Sequence, residues 1–477
     1  MTASVRSAPS PLRIVFDLQA CQTHRKHGHG VRRYSEGLTR HIAVAAEVRA
    51  CLNGNLTDTV GPVIAAFEGV LPVTRFSAYR HPPVDLQSDA DRAATRGVAE
   101  CLIRRHWLAL QPDVLHISNI FEGFGDNVVV PRKLPRVPRL VRSATLYDLI
   151  PLRFPNHYIA QPELRHRYYE KLETLRQFDH LLAISETTRR DAIELLGIDA
   201  ARITTIHGGA DAHFAQRRMT DEAETAFRAR WGLKRRFVLC TSGDDYRKNL
   251  PGAMAAYAEL PAALRADLQF VLVCTLSPET HGGLLAQARR CGLGHDEVKV
   301  TGYVSDDDLT ALYNLCDAFV FPSLYEGFGL PVLEAMQCGA PVLGANNSSI
   351  AEIIGREDAL FDASKPAALA ERLTRLLTDD GMRLELSRHG VERAKHFTWT
   401  RSAKLALAAL HEAHAATKPN VMITGALLLP RRRIAIFTPL PPCRTGVADY
   451  NAALLPLLAR YFAIDLYVDD YEVSDPT

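Results

Sequence analysis

Two glutamates flank a glycine-bearing loop in residues 321–334, which read Phe-Pro-Ser-Leu-Tyr-Glu-Gly-Phe-Gly-Leu-Pro-Val-Leu-Glu. Glu326 precedes the loop, and Glu334 lies in the first turns of the helix predicted to follow it. Gly327 and Gly329 lack a Cβ, so their backbone N–H groups can approach a ligand closely. The start of the helix adds free N–H groups and a positive dipole end, which favour a diphosphate. Two carboxylates beside such an anion site suit hydroxyl-rich groups instead, namely a sugar ring and a ribose.

A second polar loop, residues 240–249, follows a predicted strand and carries Arg247 and Lys248. The negative charge of a departing nucleoside diphosphate must be neutralised by a metal or by fixed cations. These two side chains can supply the cations. Solvated surface charge is the alternative interpretation.

The Asp-x-Asp letters in residues 306–308 could hold a metal, but they stand directly before a predicted helix. Capping of that helix explains them better, because acidic residues favour the first turn. No cluster of His, Cys or carboxylate residues has the spacing of a zinc site. The sequence therefore predicts no metal and no cofactor.

In the first half of the chain, residues 28–34 read Gly-His-Gly-Val-Arg-Arg-Tyr after the first predicted strand. A dinucleotide-binding fingerprint needs a third glycine where Arg33 stands, which argues against a dehydrogenase. Gly30 would let the backbone approach a sugar phosphate, and a plain strand-to-helix turn is the alternative. Tyr147 ends another predicted strand, and Asp148 follows it.

Together these segments resemble the family-four retaining glycosyltransferases of the GT-B fold, in particular the bacterial mannosyltransferases. The Glu-x7-Glu spacing, the Arg-Lys-Asn run and the Gly-x-Gly-Val-x-Arg-Tyr loop carry the resemblance. In that family the first glutamate, here Glu326, contacts the donor sugar, and the second, here Glu334, holds the ribose. The resemblance implies catalytic roles for Glu326, Asp148 and Tyr147, and a donor-binding set of Gly30, Ser242, Gly243, Arg247, Lys248, Asn249, Gly327, Phe328, Gly329, Leu330 and Glu334.

Two positions depart from the family's pattern. Many relatives carry an arginine where this chain has Ser242, so one cation of the diphosphate site is missing. The family's strand commonly ends in His-Asp, and here Tyr147 stands in place of the histidine, before Asp148. These departures keep open a non-catalytic sugar-binding or scaffold domain, and the fold alone would also allow a sugar-nucleotide epimerase.

The resemblance also implies a reaction. Family enzymes retain the anomeric configuration, so the acceptor hydroxyl attacks the face from which the diphosphate leaves, and the leaving phosphate can take the proton. We expect transfer of a hexose, with mannose favoured, from a nucleotide-diphosphate sugar, with GDP-mannose favoured over UDP-sugars. The acceptor would be a saccharide or a lipid-linked saccharide in polysaccharide or O-antigen synthesis.

Short apolar strands alternate with longer helices in two successive series, which predicts parallel sheets covered on both faces. We therefore predict an α/β protein of GT-B architecture, with two Rossmann-like doubly wound domains facing a cleft, where such folds bind ligands. The predicted limits are 12–212 for the acceptor-side domain, 213–396 for the nucleotide-sugar-binding domain and 397–416 for a crossover helix.

The last segment repeats the beginning of the chain. Residues 433–437 resemble the first strand at 13–16, and Gly446-Val-Ala-Asp-Tyr echoes Gly30-Val-Arg-Arg-Tyr. After a linker at 417–431, we expect residues 432–477 to form a partial third β-α-β unit, the start of a second such domain. A terminal element of the preceding fold is the alternative.

The chain of 477 residues has a formal net charge of only +2, which argues against a nucleic-acid partner. Its N-terminus lacks the apolar region of a signal peptide, and no apolar run approaches the ~18 residues of a spanning helix. We therefore expect a cytoplasmic protein. Residues 131–142 carry five cations and no acids. They predict a peripheral contact with the inner face of the plasma membrane, with a solvated loop as the alternative.

Overall fold

The computed structural model describes residues 11–23, 29–84, 89–124, 128–234, 236–417, 432–441, 443–459 and 462–468. The chain forms two compact units, one up to residue 418 and one from residue 419 onward. The first unit contains two sheets and the second contains a third, and the strands pair in parallel in all three.

The first sheet is built from the strands β1 (Arg13–Asp17), β2 (Glu47–Asn53), β3 (Phe76–Tyr79), β4 (Val114–Ile117), β5 (Val141–Leu146), β6 (His180–Ala183) and β7 (Ile203–Thr205). Its helices are α1 (Gln19–Thr23), α2 (His29–Ala43), α3 (Thr57–Ala66), α4 (Asp89–Ala109), α5 (Ile150–Arg153), α6 (Pro155–Tyr158), α7 (Pro162–Leu175) and α8 (Glu186–Leu196). The strand order is β3-β2-β1-β4-β5-β6-β7.

The second sheet is built from the strands β8 (Arg236–Thr241), β9 (Leu268–Val273), β10 (Val298–Val300), β11 (Ala318–Phe321), β12 (Val342–Ala345) and β13 (Leu360–Phe361). Its helices are α9 (Asp221–Trp231), α10 (Leu250–Ala258), α11 (Ala262–Arg265), α12 (Pro278–Arg290), α13 (Asp306–Leu315), α14 (Leu330–Gln337), α15 (Ser348–Ile354), α16 (Pro366–Thr378) and α17 (Asp380–Ala394). The strand order is β10-β9-β8-β11-β12-β13.

The central strands of both sheets are buried along their whole length, as β4, β9 and β11 show. Continuous apolar runs of this kind belong to parallel sheets covered by helices on both faces. The strand order reverses between β1 and β4 in one sheet and between β8 and β11 in the other. Ligand crevices of doubly wound folds open at such points, outside the carboxyl ends of the strands. The predicted pair of Rossmann-like domains is confirmed.

A last long helix, α18 (Trp399–Ala416), returns to the first sheet and packs against α2. A Cβ on Gly37 would lie 2.5 Å from Cε2 of Trp399, so the glycine lets the two helices approach closely. The Trp399 ring meets Tyr34 edge to face, with the centroids 5.0 Å apart. These contacts fix α2 and its side chains. The domain limits at 212, 396 and 416 stay predictions, because both sheets belong to one compact unit.

The second unit contains the strand β14 (Arg432–Phe437), the helix α19 (Gly446–Leu458) and the strand β15 (Phe462–Tyr467). The two strands pair in parallel, and Arg433 Nε lies 2.8 Å from Asp465 Oδ2 across them. The predicted third β-α-β unit is therefore confirmed. That it begins a second transferase domain stays a prediction.

Candidate active site

A cleft of about 930 Å³ opens at the carboxyl ends of the strands in the first unit. Its volume is that of a site for a drug-sized ligand. Half of the predicted site residues line it: Gly30, Ser242, Gly243, Arg247, Lys248, Leu330 and Glu334. The other half are not among its lining residues: Glu326, Asp148, Tyr147, Asn249, Gly327, Phe328 and Gly329.

The strand order brings together the loop that carries Arg247 and Lys248 and the loop that carries Glu326. Because β8 and β11 are hydrogen-bonded neighbours, the loops that follow them leave the same edge of the sheet side by side. The Leu324 N–H donates a hydrogen bond of 2.7 Å to the Arg247 carbonyl and ties one loop to the other. The cationic loop and the Glu326 loop therefore form one structure, although 78 residues separate Lys248 from Glu326.

Glu326 is 6% exposed, and both of its carboxylate oxygens contact cations. Lys248 Nζ lies 2.6 Å from Oε1, and Arg247 Nη1 donates to Oε2. Burial acts to raise the pKa of Glu326, but the charges of Arg247 and Lys248 outweigh it and lower the pKa to about 2. Glu326 is thus a carboxylate at any pH at which the protein would work.

The glycine loop is held rigidly against the end of β5. A Cβ on Gly327 would lie 2.4 Å from the Tyr147 carbonyl oxygen, so this glycine is required for packing between the two sheets. The Ser349 hydroxyl donates to the carbonyls of Glu326 and Phe328, at 3.0 and 2.6 Å. Gly329 has a φ of +109° directly before α14, a conformation that favours glycine. These packing contacts and hydrogen bonds hold the loop in its position.

Glu334 is 2% exposed and lies on α14, in the wall of the cleft. Arg33 Nη1 of α2 lies 2.7 Å from its Oε1, and the Tyr313 hydroxyl donates to Oε2 at 3.3 Å. Burial raises the pKa of Glu334 to about 7; Arg33 opposes this rise, while Asp306 and Asp211 add to it. Arg33 was not among the predicted donor-binding residues, although it belongs to the Gly-x-Gly-Val-x-Arg-Tyr loop.

Asp148 and Tyr147 follow β5 but point in different directions. Asp148 Oδ1 accepts a hydrogen bond of 3.1 Å from the Ile150 N–H; burial raises the pKa of this carboxyl, against the nearby charge of Arg247. The Tyr147 hydroxyl instead contacts α2. It lies 2.8 Å from the Ser35 hydroxyl and donates a hydrogen bond of 3.3 Å to the Val31 carbonyl. Tyr147 therefore supports α2 in this conformation, and its carbonyl packs on Gly327.

Asn249 has a structural position rather than one in the cleft wall. Its φ is +51°, and its side-chain amide donates to the carbonyls of Pro322 and Ala363, at 3.2 and 2.9 Å. Asn249 thus joins the cationic loop to the loop after β11. Phe328 is buried as well, against Phe397, with the ring centroids 6.2 Å apart. For Phe328, only the backbone amide is left as a donor-binding group.

Residues 306–308 form the first turn of α13, and Ser305 caps the helix by accepting a hydrogen bond from the Asp308 N–H. The interpretation of these acids as first-turn residues fits this position. Asp306 has a further contact, because Arg33 Nη2 donates to its Oδ1 at 2.7 Å. Within the described ranges, no three His, Cys, Asp or Glu side chains are placed to hold a metal ion together.

The two halves of the first unit match two models of sugar transferases. Residues 62–214 match the model described as Glycosyltransferase Family 4, and residues 221–396 match Glycosyl transferases group 1. The chain belongs to the family-four glycosyltransferases. Its predicted family membership is thereby confirmed, and both motif-bearing loops lie within the second match.

Curated relatives include the serotype-specific mannosyltransferase WbdA of Escherichia coli, which is 33% identical over 83% of this chain and 47% of its own length. The O-antigen chain mannosyltransferase B of Escherichia coli is 27% identical over 78% of this chain and 92% of its own length. The chain thus spans about half the length of the WbdA proteins that it matches.

Solved structures confirm the GT-B fold. WaaG, a glycosyltransferase involved in lipopolysaccharide biosynthesis, has a TM-score of 0.60 at 18% identity, over 83% of this chain and 99% of its own. HepE of Anabaena, in complex with UDP and glucose, has a TM-score of 0.61 at 16% identity, over 84% of this chain and 100% of its own. At this level of identity the likeness extends to the fold and not to the ligand.

Proposed function

We propose that the protein is a retaining, metal-independent mannosyltransferase that moves mannose from GDP-mannose to a saccharide or lipid-linked acceptor in O-antigen or related polysaccharide synthesis. The pairing of Glu326 with Arg247 and Lys248 at the head of the cleft carries this proposal. The carboxylate of Glu326 can accept hydrogen bonds from sugar hydroxyls. Two cations that can pair with a diphosphate lie within hydrogen-bond distance of it.

The diphosphate of the donor would replace Glu326 as the partner of Arg247 and Lys248. Arg247 and Lys248 line the cleft, whereas Glu326 is not among the lining residues, so an entering diphosphate meets the cations first. As phosphate oxygens pair with the cations, the oxygens of Glu326 become available to the hydroxyls of the donor sugar. Hydrogen bonds between hydroxyls and a carboxylate are stronger than neutral ones and would orient the sugar for attack.

The same cations supply what a metal supplies in other transferases. Charge develops on the leaving diphosphate during transfer, and fixed cations in a water-poor site stabilise it without reorganisation. The side chain of Lys248 is 17% exposed, and burial lowers its pKa against the raising effect of Glu326. When Glu326 turns to the sugar, the two negative charges of the approaching diphosphate would replace its charge and keep the ammonium charged during the reaction.

Retention follows if the acceptor attacks from the side of the leaving group. The resemblance to the family implies that the departing phosphate oxygen takes the acceptor's proton, so no carboxylate is needed as a general base. Glu326 would act by orienting the sugar and by stabilising positive charge at its reacting carbon.

The choice of donor and acceptor rests on the relatives. The WbdA proteins are named as mannosyltransferases, and the O-antigen chain mannosyltransferase B is named for the same kind of product. Mannose is therefore the sugar that we propose, and GDP-mannose is the donor that the resemblance to bacterial mannosyltransferases favours. The acceptor would lie on the side of the first sheet.

A donor-hydrolysis assay tests the proposal. Purified protein is incubated with radiolabelled GDP-mannose and, in parallel, with UDP-glucose, with and without EDTA, and released sugar is counted. We expect slow release from GDP-mannose that EDTA does not change, and at least tenfold slower release with Lys248→Ala. The exposed Lys365→Ala variant, whose ion pair lies outside the cleft, is the matched control.

The possible results test catalysis, metal independence and the identity of the donor separately. Donor binding without any release from either nucleotide sugar would favour the non-catalytic scaffold over the transferase. Loss of activity in EDTA that manganese restores would contradict metal independence. Faster release from UDP-glucose than from GDP-mannose would contradict the assignment of the donor.

A further inference from the structure

Arg33 is the one side chain of α2 that contacts the carboxylates of the second sheet in the described residues. Its guanidinium contacts Glu334 and Asp306 at 2.7 Å each, and its Nε lies 3.8 Å from Asp211 Oδ2. Its Cζ lies 5.4 Å from the centroid of the Phe214 ring, so the aromatic face holds the group from one side. One cation thus serves three carboxylates.

The elements around α2 leave Arg33 little freedom. Tyr34, the next residue, packs between the rings of Tyr147 and Trp399 and donates to the His207 carbonyl. Gly37 abuts Trp399 of α18. The helix that carries Arg33 is therefore anchored by the first sheet and the returning helix, and the guanidinium reaches from that anchor to the opposite wall of the cleft.

Arg33 does not exclude a ribose from Glu334. A carboxylate offers about four acceptor positions, and Arg33 and Tyr313 occupy two of them in this structure. Both Arg33 and Glu334 line the cleft, so the remaining positions lie where a donor nucleoside can reach them. The cation and two ribose hydroxyls can share one carboxylate.

Without Arg33, this wall would repel the donor. Glu334, Asp306 and Asp211 would lie together, with His213 Nε2 at 3.7 Å from Asp306 as the remaining basic group nearby. A buried carboxyl among other carboxylates keeps its proton, because burial and the neighbouring negative charges both disfavour its charged form. The donor brings two further negative charges in its diphosphate.

We propose that Arg33 is a positioning residue that acts across the cleft: it holds Glu334 charged and oriented for the donor's ribose and neutralises the acidic wall behind it. This inference rests on the proposed function and on the ribose-binding role that the resemblance to the family implies for Glu334. It couples nucleotide binding on the second sheet to the position of α2 on the first. A carboxylate can accept hydrogen bonds from two hydroxyls, whereas one oxygen of a protonated carboxyl carries the proton and acts as a hydrogen-bond donor.

The pH dependence of donor affinity reports on this role. The groups that face Glu334 are Arg33 from α2, Asp211 and His213 from the segment after β7, Asp306 and Tyr313 from α13, and Cys338 after α14. Glu334 has a pKa of about 7 with Arg33 in place, so affinity should rise between pH 6 and pH 8. Removal of the cation should raise this pKa and move the rise to higher pH.

The experiment titrates GDP-mannose into the full chain by calorimetry from pH 5.5 to 9. This donor suits the test because its diphosphate, esterified at both ends, does not titrate in that range. For Arg33→Gln we expect the midpoint of the affinity curve to move up by about one pH unit, and affinity at pH 7 to fall about fivefold. Arg33→Lys keeps a charge and should show a smaller shift.

Two controls separate this role from a general effect on folding. Arg32→Gln removes the neighbouring arginine of the same helix, which pairs with Glu36 at 2.7 Å, and should leave the midpoint unchanged. Glu334→Gln should weaken donor binding and abolish the rise of affinity with pH. The double variant that also carries Arg33→Gln should bind the donor only slightly more weakly than Glu334→Gln.

The possible failures are distinguishable. Unchanged affinity in Glu334→Gln would overturn the ribose site and with it this part of the proposed function. Weakened binding in Glu334→Gln together with a wild-type midpoint in Arg33→Gln would overturn the role of Arg33 alone. An equal midpoint shift in Arg32→Gln would show that helix charge, rather than the contact with Glu334, controls the titration.

Discussion

Glu326 and Glu334 are the same residue type, eight positions apart and both buried, yet their surroundings move their pKa values in opposite directions. Two cations lower the pKa of Glu326 to about 2, whereas burial and two acids raise that of Glu334 to about 7 against one cation. Titratable pairs whose environments separate them in this way often have different roles at functional sites. The permanently charged Glu326 suits contact with the sugar. Glu334, whose charge depends on its neighbours, suits contact with the ribose.

Replacing Glu326 should affect turnover most. Glu326→Gln keeps the shape and one acceptor oxygen but removes the charge that orients the sugar, and we expect turnover of GDP-mannose to fall at least tenfold. The measurement is the initial rate of sugar release at saturating donor. Glu385→Gln, which removes an exposed partner of Arg356, is the matched control and should retain the wild-type rate.

Folding must be checked in the Glu326 variant, because Arg247 and Lys248 lose their counter-charge. Breaking a buried ion pair on one side costs about 3–5 kcal/mol of stability. The thermal midpoint and the affinity for GDP therefore accompany the rate. A folded, GDP-binding Glu326→Gln protein with an unchanged rate would contradict the assignment of this carboxylate.

The sequence indicated these two glutamates but not the contacts of Arg33. Its partners Asp306 and Glu334 are 273 and 301 residues away, so no local spacing encodes the contact. The motif containing Arg33 was visible and helped to indicate the family, but of its residues only Gly30 was assigned to the donor site. Asn249 shows the converse: the Arg-Lys-Asn run includes it, while its amide holds two loops together.

At the scale of the elements, strands that are buried on both faces were predictable. Residues 114–117 and 318–321 are fully buried strands, and both are short, mostly apolar runs of the kind that predicts a strand. β2 begins with Glu47 and contains the exposed Arg49, and β3, β7 and β13 are short strands at sheet edges. These four strands were not predicted, since edge and mixed strands lack the apolar run. Strand order, which brings together the loops after β8 and β11, depends on contacts that the local sequence does not contain.

The contact between the glycine loop and β5 gives a prediction for an element. In Gly327→Ala the new Cβ would lie 2.4 Å from the Tyr147 carbonyl and 3.1 Å from Asp148 Cβ, so the backbone of one side must move. We expect a lower thermal midpoint and at least a tenfold loss of turnover. Gly61→Ala is the matched control, because its Cβ would meet nothing within 4 Å inside α3, and it should be neutral or stabilising. A fully active Gly327→Ala protein would show that the loop tolerates the displacement.

At the scale of the whole molecule, the question is how the protein would reach a lipid-linked acceptor. No helix in the described part of the chain has both the length and the apolar character to cross a bilayer. The basic segment 131–142 lies after β4 and enters β5 at residue 141, and its Leu134 and Leu140 are buried and anchor it. Arg132 is engaged by Glu100 at 2.8 Å and Arg142 by Asp179 at 2.5 Å, so the cations left for a membrane are the exposed Lys133, Arg136 and Arg139.

These three cations, with the 40% exposed Val137 between them, predict reversible binding to an anionic membrane surface. Each basic residue near such a surface contributes about 1 kcal/mol, and the attraction weakens as salt shortens the Debye length. In co-sedimentation with phosphatidylglycerol vesicles, we expect binding at low salt, loss at high salt, and at least a tenfold weaker partition when Lys133, Arg136 and Arg139 become Gln. The matched control removes the same charge elsewhere, at the exposed Arg289, Arg290 and Arg388, and should bind as the wild type does. Equal losses in both triple variants would attribute binding to net charge rather than to this loop, and no binding at low salt would exclude a membrane contact through it.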